Sequence, residues 1–211
     1  MAKEDQKKYR DTLAQAKQEF AKRSLNNMLE VTGVEALGRS GLLIRYIGKL
    51  YQVQHPGGEI SPYEAGQLGA RVDITDHILM LQYLAEACGV PPSGKWISFR
   101  ELPAGNNHFA PFRLEAMEPL AKHFGSSPAK FELICQNLGG KKLTIGDLSY
   151  AIPVFPRLEL AFILWLAGEE GPARANILFD SSASMHLATA SLHVLGINVA
   201  EKIISYPWEI A

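Results

Sequence analysis

The sequence predicts an α+β fold: a mainly antiparallel sheet from early and late strands, helices packed on it, and an N-terminal helix. Three observations carry this reading. Residues of alternating polarity lie between Gly41 and Gln54, and strand-like runs return between Leu148 and Phe179. Helical periodicity fills the interval between them. No regular strand–helix–strand alternation of the parallel-sheet kind is present. Within 211 residues, positions 1–32 read as an amphipathic helical extension and 33–211 as a single α+β domain.

In order along the chain, residues 4–30 read as helix, with Tyr9, Leu13, Ala16 and Phe20 at helical spacing and Gly33 as the end signal. Leu43, Arg45 and Ile47, then Leu50, Gln52 and Gln54, predict two strands joined by a Gly48–Lys49 turn. Asp73 to Asp76 supply helix-start chemistry for an apolar helix that ends at Gly89. A second helix runs near Leu114–Phe124 and stops at Gly125. A third starts at Ser127 with Pro128 in its first turn and ends at Gly139–Gly140. Leu148–Phe155 and Leu158–Leu166 predict strands paired through a Pro156–Arg157 turn, with 176–179 beside them and a closing helix over 186–204.

Composition sets several function classes aside. The 21 basic and 22 acidic residues lack the concentrated positive field of a nucleic-acid binder. The N-terminal stretch has no apolar core of the secretory kind. The longest apolar run, Leu158–Ala167, contains Glu159 and is too short to span a bilayer as a helix. The expectation is a cytoplasmic protein with no membrane or nucleic-acid partner. Cys88 and Cys135 read as buried free thiols on helices, and two thiols cannot supply the four ligands of an iron–sulfur cluster.

Four constellations bear on chemistry. Gly89 to Trp96 nearly matches a phosphate loop, but Pro91 and Pro92 remove two amide donors and Trp96 replaces the magnesium-binding hydroxyl. The six histidines show no paired zinc spacing. His108 and His186 lie in polar, loop-like segments and are the better functional candidates among them. Asp180, Ser181, Ser182, Ser184 and His186 crowd together, yet no Gly-x-Ser-x-Gly elbow accompanies them. A turn capped by Asp180 or a following serine explains that segment better than a triad. Glu169 and Glu170 are adjacent, so in a strand they face opposite ways, and Arg174 can pair with either.

The blocks Gly94-Lys95-Trp96-Ile97-Ser98-Phe99-Arg100-Glu101-Leu102 and Ile177-Leu178-Phe179-Asp180-Ser181-Ser182 resemble the domain-of-unknown-function family three-seven-eight-six. Gly146-Asp147, Phe155-Pro156-Arg157, Trp165 and Glu170 add weaker matches, and the likeness spans roughly residues 30–205. Relatives are often labelled iron–sulfur proteins, and some look like fusions to a four-cysteine segment. The resemblance thereby implies anaerobic redox or one-carbon metabolism. The first helix here carries no cysteine, so the cluster label does not transfer. Two acidic stretches of the family pattern are also altered, at Ala167–Gly171 and at Ala190–Ser191.

The expected function is a non-catalytic small-ligand-binding or accessory protein. Its site would gather Trp96, Arg100, Glu101, Asp147, Trp165, Glu170, Asp180 and His186. The indoles would supply flat walls and Arg100 an anion clamp. The cofactor is unknown; a tetrapyrrole or corrinoid with His108 or His186 as axial donor is one option. Two rival readings stand beside it. One is a hydrolase or transferase using Asp180 or Glu170 as general base. The other is a structural module docking a protein partner through the first helix.

Overall fold

The computed structural model describes residues 3–63, 71–169 and 171–207. The fold is α+β with antiparallel sheets, and its contacts group into two compact units. One comprises Met1–Val90 with Phe155–Arg157 and Met185–Leu187; the other comprises Pro91–Val154, Leu158–Ser184 and Ala188–Ala211. The early and late strands accordingly belong to two separate sheets rather than to one.

In the first unit, α1 (Lys3–Lys22) and α2 (Leu25–Val31) replace the single helix expected over 4–30. Ser24 breaks it by capping α2, its hydroxyl accepting from the Asn27 amide at 3.3 Å. The neighbouring Arg23 guanidinium donates to the carbonyls of Leu84 (2.9 Å) and Ala87 (2.6 Å), which end α3 (Ile74–Glu86). Helix α1 packs along α3, with Ala16 and Phe20 buried, so the apolar stripe of the N-terminal helix is already covered.

The four-stranded sheet of this unit runs in the order β1 (Glu35–Leu37), β2 (Gly41–Tyr46), β3 (Lys49–Gln54) and β4 (Glu59–Pro62). Tyr46 pairs with Lys49, placing the β2–β3 turn at Ile47–Gly48, one residue earlier than expected. Both turn residues have positive φ, 46° and 77°, the pattern of a type I′ hairpin. Asp73 caps α3 as predicted, accepting from the Thr75 amide at 2.8 Å. Tyr83 on α3 stacks on Phe155 at 4.3 Å, and its hydroxyl donates to the Thr32 carbonyl at 2.8 Å. Cys88 corrects the expectation of a buried helical thiol: it lies beyond the helix cap at Ala87 and is exposed.

The second unit is built on a five-stranded sheet in the order β5 (Trp96–Ser98), β9 (Arg174–Asp180), β8 (Leu158–Trp165), β7 (Leu148–Phe155) and β6 (Lys141–Lys142). Helices α4 (Phe109–Phe112), α5 (Glu118–Phe124), α6 (Pro128–Asn137) and α7 (Thr189–Ile204) accompany it. Between α4 and α5 the backbone forms a π turn over Arg113–Met117, which keeps the helix continuous from Phe109 to Phe124. The core gathers Phe99, Phe112, Phe124, Phe131, Phe162 and Phe179, with Cys135 buried beside them on α6. Gly196 on α7 lets the Phe112 ring approach closely: a Cβ there would lie 2.6 Å from its Cε2. Among the described residues no helix is long and apolar enough to cross a membrane.

Candidate functional site

The described residues among the eight expected to share one hollow do not all come together. Trp96 and Asp180 stand directly opposite each other where β5 pairs with β9, and Arg100 and Glu101 follow on the next short 3-10 turn. Trp165 stands opposite Arg174 at the other end of β9. The six-residue step from Arg174 to Asp180 puts the two indoles about 20 Å apart along the strand. Asp147 belongs with Trp165: its amide donates to the Leu164 carbonyl (3.1 Å) and its carboxylate accepts from the Leu166 amide (2.8 Å). His186 is fully buried in the first unit rather than sitting in an open loop, with its ring 6.2 Å from that of Tyr83. Glu170 lies outside the described residues.

Asp180 has no open face. Its Oδ1 accepts from the amides of Ser93 (3.0 Å) and Ser182 (2.9 Å) and from the Ser182 hydroxyl (2.6 Å). Its Oδ2 accepts from the Gly94 amide (2.7 Å), and the Ser93 hydroxyl reaches both oxygens at 3.0 Å. Burial by itself would raise this carboxyl's pKa. The Ser182 hydroxyl, the Ser93 and Ser182 amides and the Ser93 hydroxyl outweigh it, and the net shift is downward. A saturated carboxylate held ionised is a poor general base; it ties the 93–94 loop to the end of β9. The segment that mimics a phosphate loop does bind an oxyanion, and that oxyanion is the chain's own.

Glu101 is likewise structural. Its Oε2 accepts from the Ser98 amide at 2.7 Å, closing a capping box; the same amide bond, with the Ser98 hydroxyl, lowers its pKa. Arg100 lays its guanidinium 4.0 Å above the Phe109 ring.

A cleft of about 560 Å³ does open in the second unit, between the π-turn helix and the ends of β8 and β9. Of the predicted residues that are described, it uses only Trp165. Phe109, Met117 and Ala121 supply its apolar helix side, and Arg174 and Asn176 its strand side. Arg113 and Glu118, ion-paired on the helix, complete its charge. Five residues apart, they would stand on different faces of a regular helix (about 140° apart at 100° per residue). The i→i+5 hydrogen bonding of a π turn brings such positions onto adjacent turns.

Arg174 sits 5.8 Å from the Trp165 ring centroid. Asn176 is two residues along the same strand, hence on the same face, and its Oδ1 accepts from the Ile177 amide at 2.9 Å. With that oxygen engaged, NH2 is the side chain's remaining polar group. Among the described residues the cleft combines aromatic and thioether walls with two guanidiniums, one carboxylate and one side-chain amide. Its volume and lining fit a small organic molecule. Among the described residues no three His, Cys, Asp or Glu side chains gather in a way that could hold a metal ion.

The family model for Domain of unknown function (DUF3786) matches residues 24–202. The chain belongs to this family. No curated protein and no solved structure matches it. The DUF3786 match begins at Ser24, the cap of α2, and encloses both the Asp180 knot and the cleft.

Proposed function

We propose that this DUF3786 member is a non-catalytic binding protein for a small organic anion, which it holds in the cleft beside Trp165. The observation that carries the reading is the lining itself. Among the described lining residues Arg113 and Arg174 outnumber the one carboxylate, Glu118, and the rest are Phe109, Met117, Trp165, Asn176 and alanines. Guanidiniums are weakly hydrated and offer paired donors to carboxylates and phosphates. The apolar walls lower the local dielectric and strengthen that attraction. No nucleophile–base pair lies among the described lining residues, which favours binding over turnover.

A thermal-shift panel of aromatic carboxylates, phosphates and matched neutral compounds tests this on the wild type and on Trp165→Ala. A ligand at about 100 times its Kd adds about 2.7 kcal/mol. Anionic members should raise the wild-type midpoint and lose that effect in the variant. Responses that are flat across the panel, or equal in the variant, would overturn the proposal.

A further inference from the structure

Resting on that reading, the cleft's charges point further, to how the ligand lies and how many charges it carries. Glu118 already engages Arg113. Arg174 pairs with no carboxylate among the described residues, although it is exposed at the mouth of the cleft. It is also the better placed of the two guanidiniums. The Trp165–Arg174 register sets it on paired strands, where opposed Cβ atoms lie about 5 Å apart. The indole flanks the guanidinium at 5.8 Å. A guanidinium packed against a ring keeps its in-plane N–H donors available for a bidentate acceptor. Asn176, on the same strand face, has NH2 as its remaining polar group because its oxygen is held by Ile177.

We propose that Arg174 and Asn176 form the head-group site and receive one carboxylate, sulfonate or singly charged phosphate. The apolar body of the ligand then extends along Phe109, Met117 and Ala121 of the π-turn helix. The charges of the described lining residues sum to +1, from Arg113, Arg174 and Glu118, which a monoanion neutralises. A second anionic group at the far end meets Glu118 and is rejected by like-charge repulsion. Glu118 thereby sets specificity without binding the head group.

Isothermal titration with 2-naphthoate, 2-naphthamide and naphthalene-2,6-dicarboxylate tests this. The monoanion should bind the wild type at least tenfold more tightly than either of the others. Arg174→Gln should weaken 2-naphthoate at least tenfold while leaving the melting temperature unchanged, since Arg174 is exposed. Glu118→Gln should cut the preference for 2-naphthoate over the dicarboxylate at least fivefold. If 2-naphthoate binds and Trp165→Ala weakens it, but Arg174→Gln stays within twofold, the head-group assignment is wrong and the binding reading survives. Tighter wild-type binding of the dicarboxylate has the same consequence. If no naphthalene probe binds, or Trp165→Ala binds all of them normally, both proposals are overturned.

Discussion

Replacing Asp180 with asparagine separates a structural carboxylate from a working one. The side chain is fully buried and takes donors on both oxygens. An asparagine that keeps its carbonyl at the Oδ1 position retains the Ser93 and Ser182 amides. Its NH2 then faces the Gly94 amide, which stood at 2.7 Å from Oδ2, donor against donor. The flipped rotamer sacrifices two amides instead of one. Leaving one such donor unsatisfied costs about 1–3 kcal/mol, and the surviving bonds fall from charge-assisted to neutral strength, roughly half. The expected loss is about 2–4 kcal/mol, or roughly 5–15 °C in melting temperature for a chain of this size. Urea and thermal unfolding at pH 7, followed by circular dichroism, measure it. The acid limb adds a sign check. The native pKa is depressed, so the carboxylate's contribution is present above its ordinary value of about 3.9 and fades as pH falls through the lower native value. Wild type and variant should therefore converge in acid. A neutral-pH difference below about 0.5 kcal/mol, the level of an ordinary surface change, would refute the description of Asp180 as the tie between β9 and the 93–94 loop.

Three further outcomes are expected. Burial lowers the pKa of His77, against the bond to the Gly58 carbonyl, and also that of His193. Both rings then take up protons on unfolding, so the urea midpoint should drop as pH falls below about 6.5; His77→Gln with His193→Gln should flatten that slope, and an equally steep variant would count against it. Arg23→Ala should destabilise the chain by about 1–3 kcal/mol in urea unfolding, because the carbonyls of Leu84 and Ala87 lose their donors; an unchanged midpoint contradicts the capping role. Gly196→Ala drives a methyl to 2.6 Å from the Phe112 ring and should cost about 1–3 kcal/mol in the same assay, whereas a neutral result would mean that α7 shifts freely.

Much of the fold is legible because its signals are local. Asp73 and the Ser127–Pro128 pair mark helix starts within a residue, and Gly48 locates the β2–β3 hairpin because few other residues accept its positive φ. Strands β1 and β4 carry three and four residues, and β5 and β6 three and two, too few for alternation to register. The break at Ser24 was hidden for a different reason. Helical spacing continues across it, and the Arg23 contacts that favour the break come from Leu84 and Ala87, some sixty positions away.

The site was harder to read, and the reason is geometric. Tryptophans and acids in specific-looking blocks suggest a shared hollow, but a block of sequence records constraint without saying which end of a strand it serves. Trp96 and Asp180 hold one end of β9, and Trp165 with Arg174 shapes the other. The strongest chemical signal in the cleft, Arg113 with Glu118, sits at a spacing that regular-helix logic discards. Only the π turn makes that pair meet. A π turn forgoes the regular i→i+4 pattern and persists where packing or function compensates. Here α7 and β9 both pack against it, so packing can hold the turn in place, and the charge pair it aligns faces the cleft where the ligand is proposed to lie. If the turn served packing alone, changing Glu118 would leave the order of ligand preference as it was.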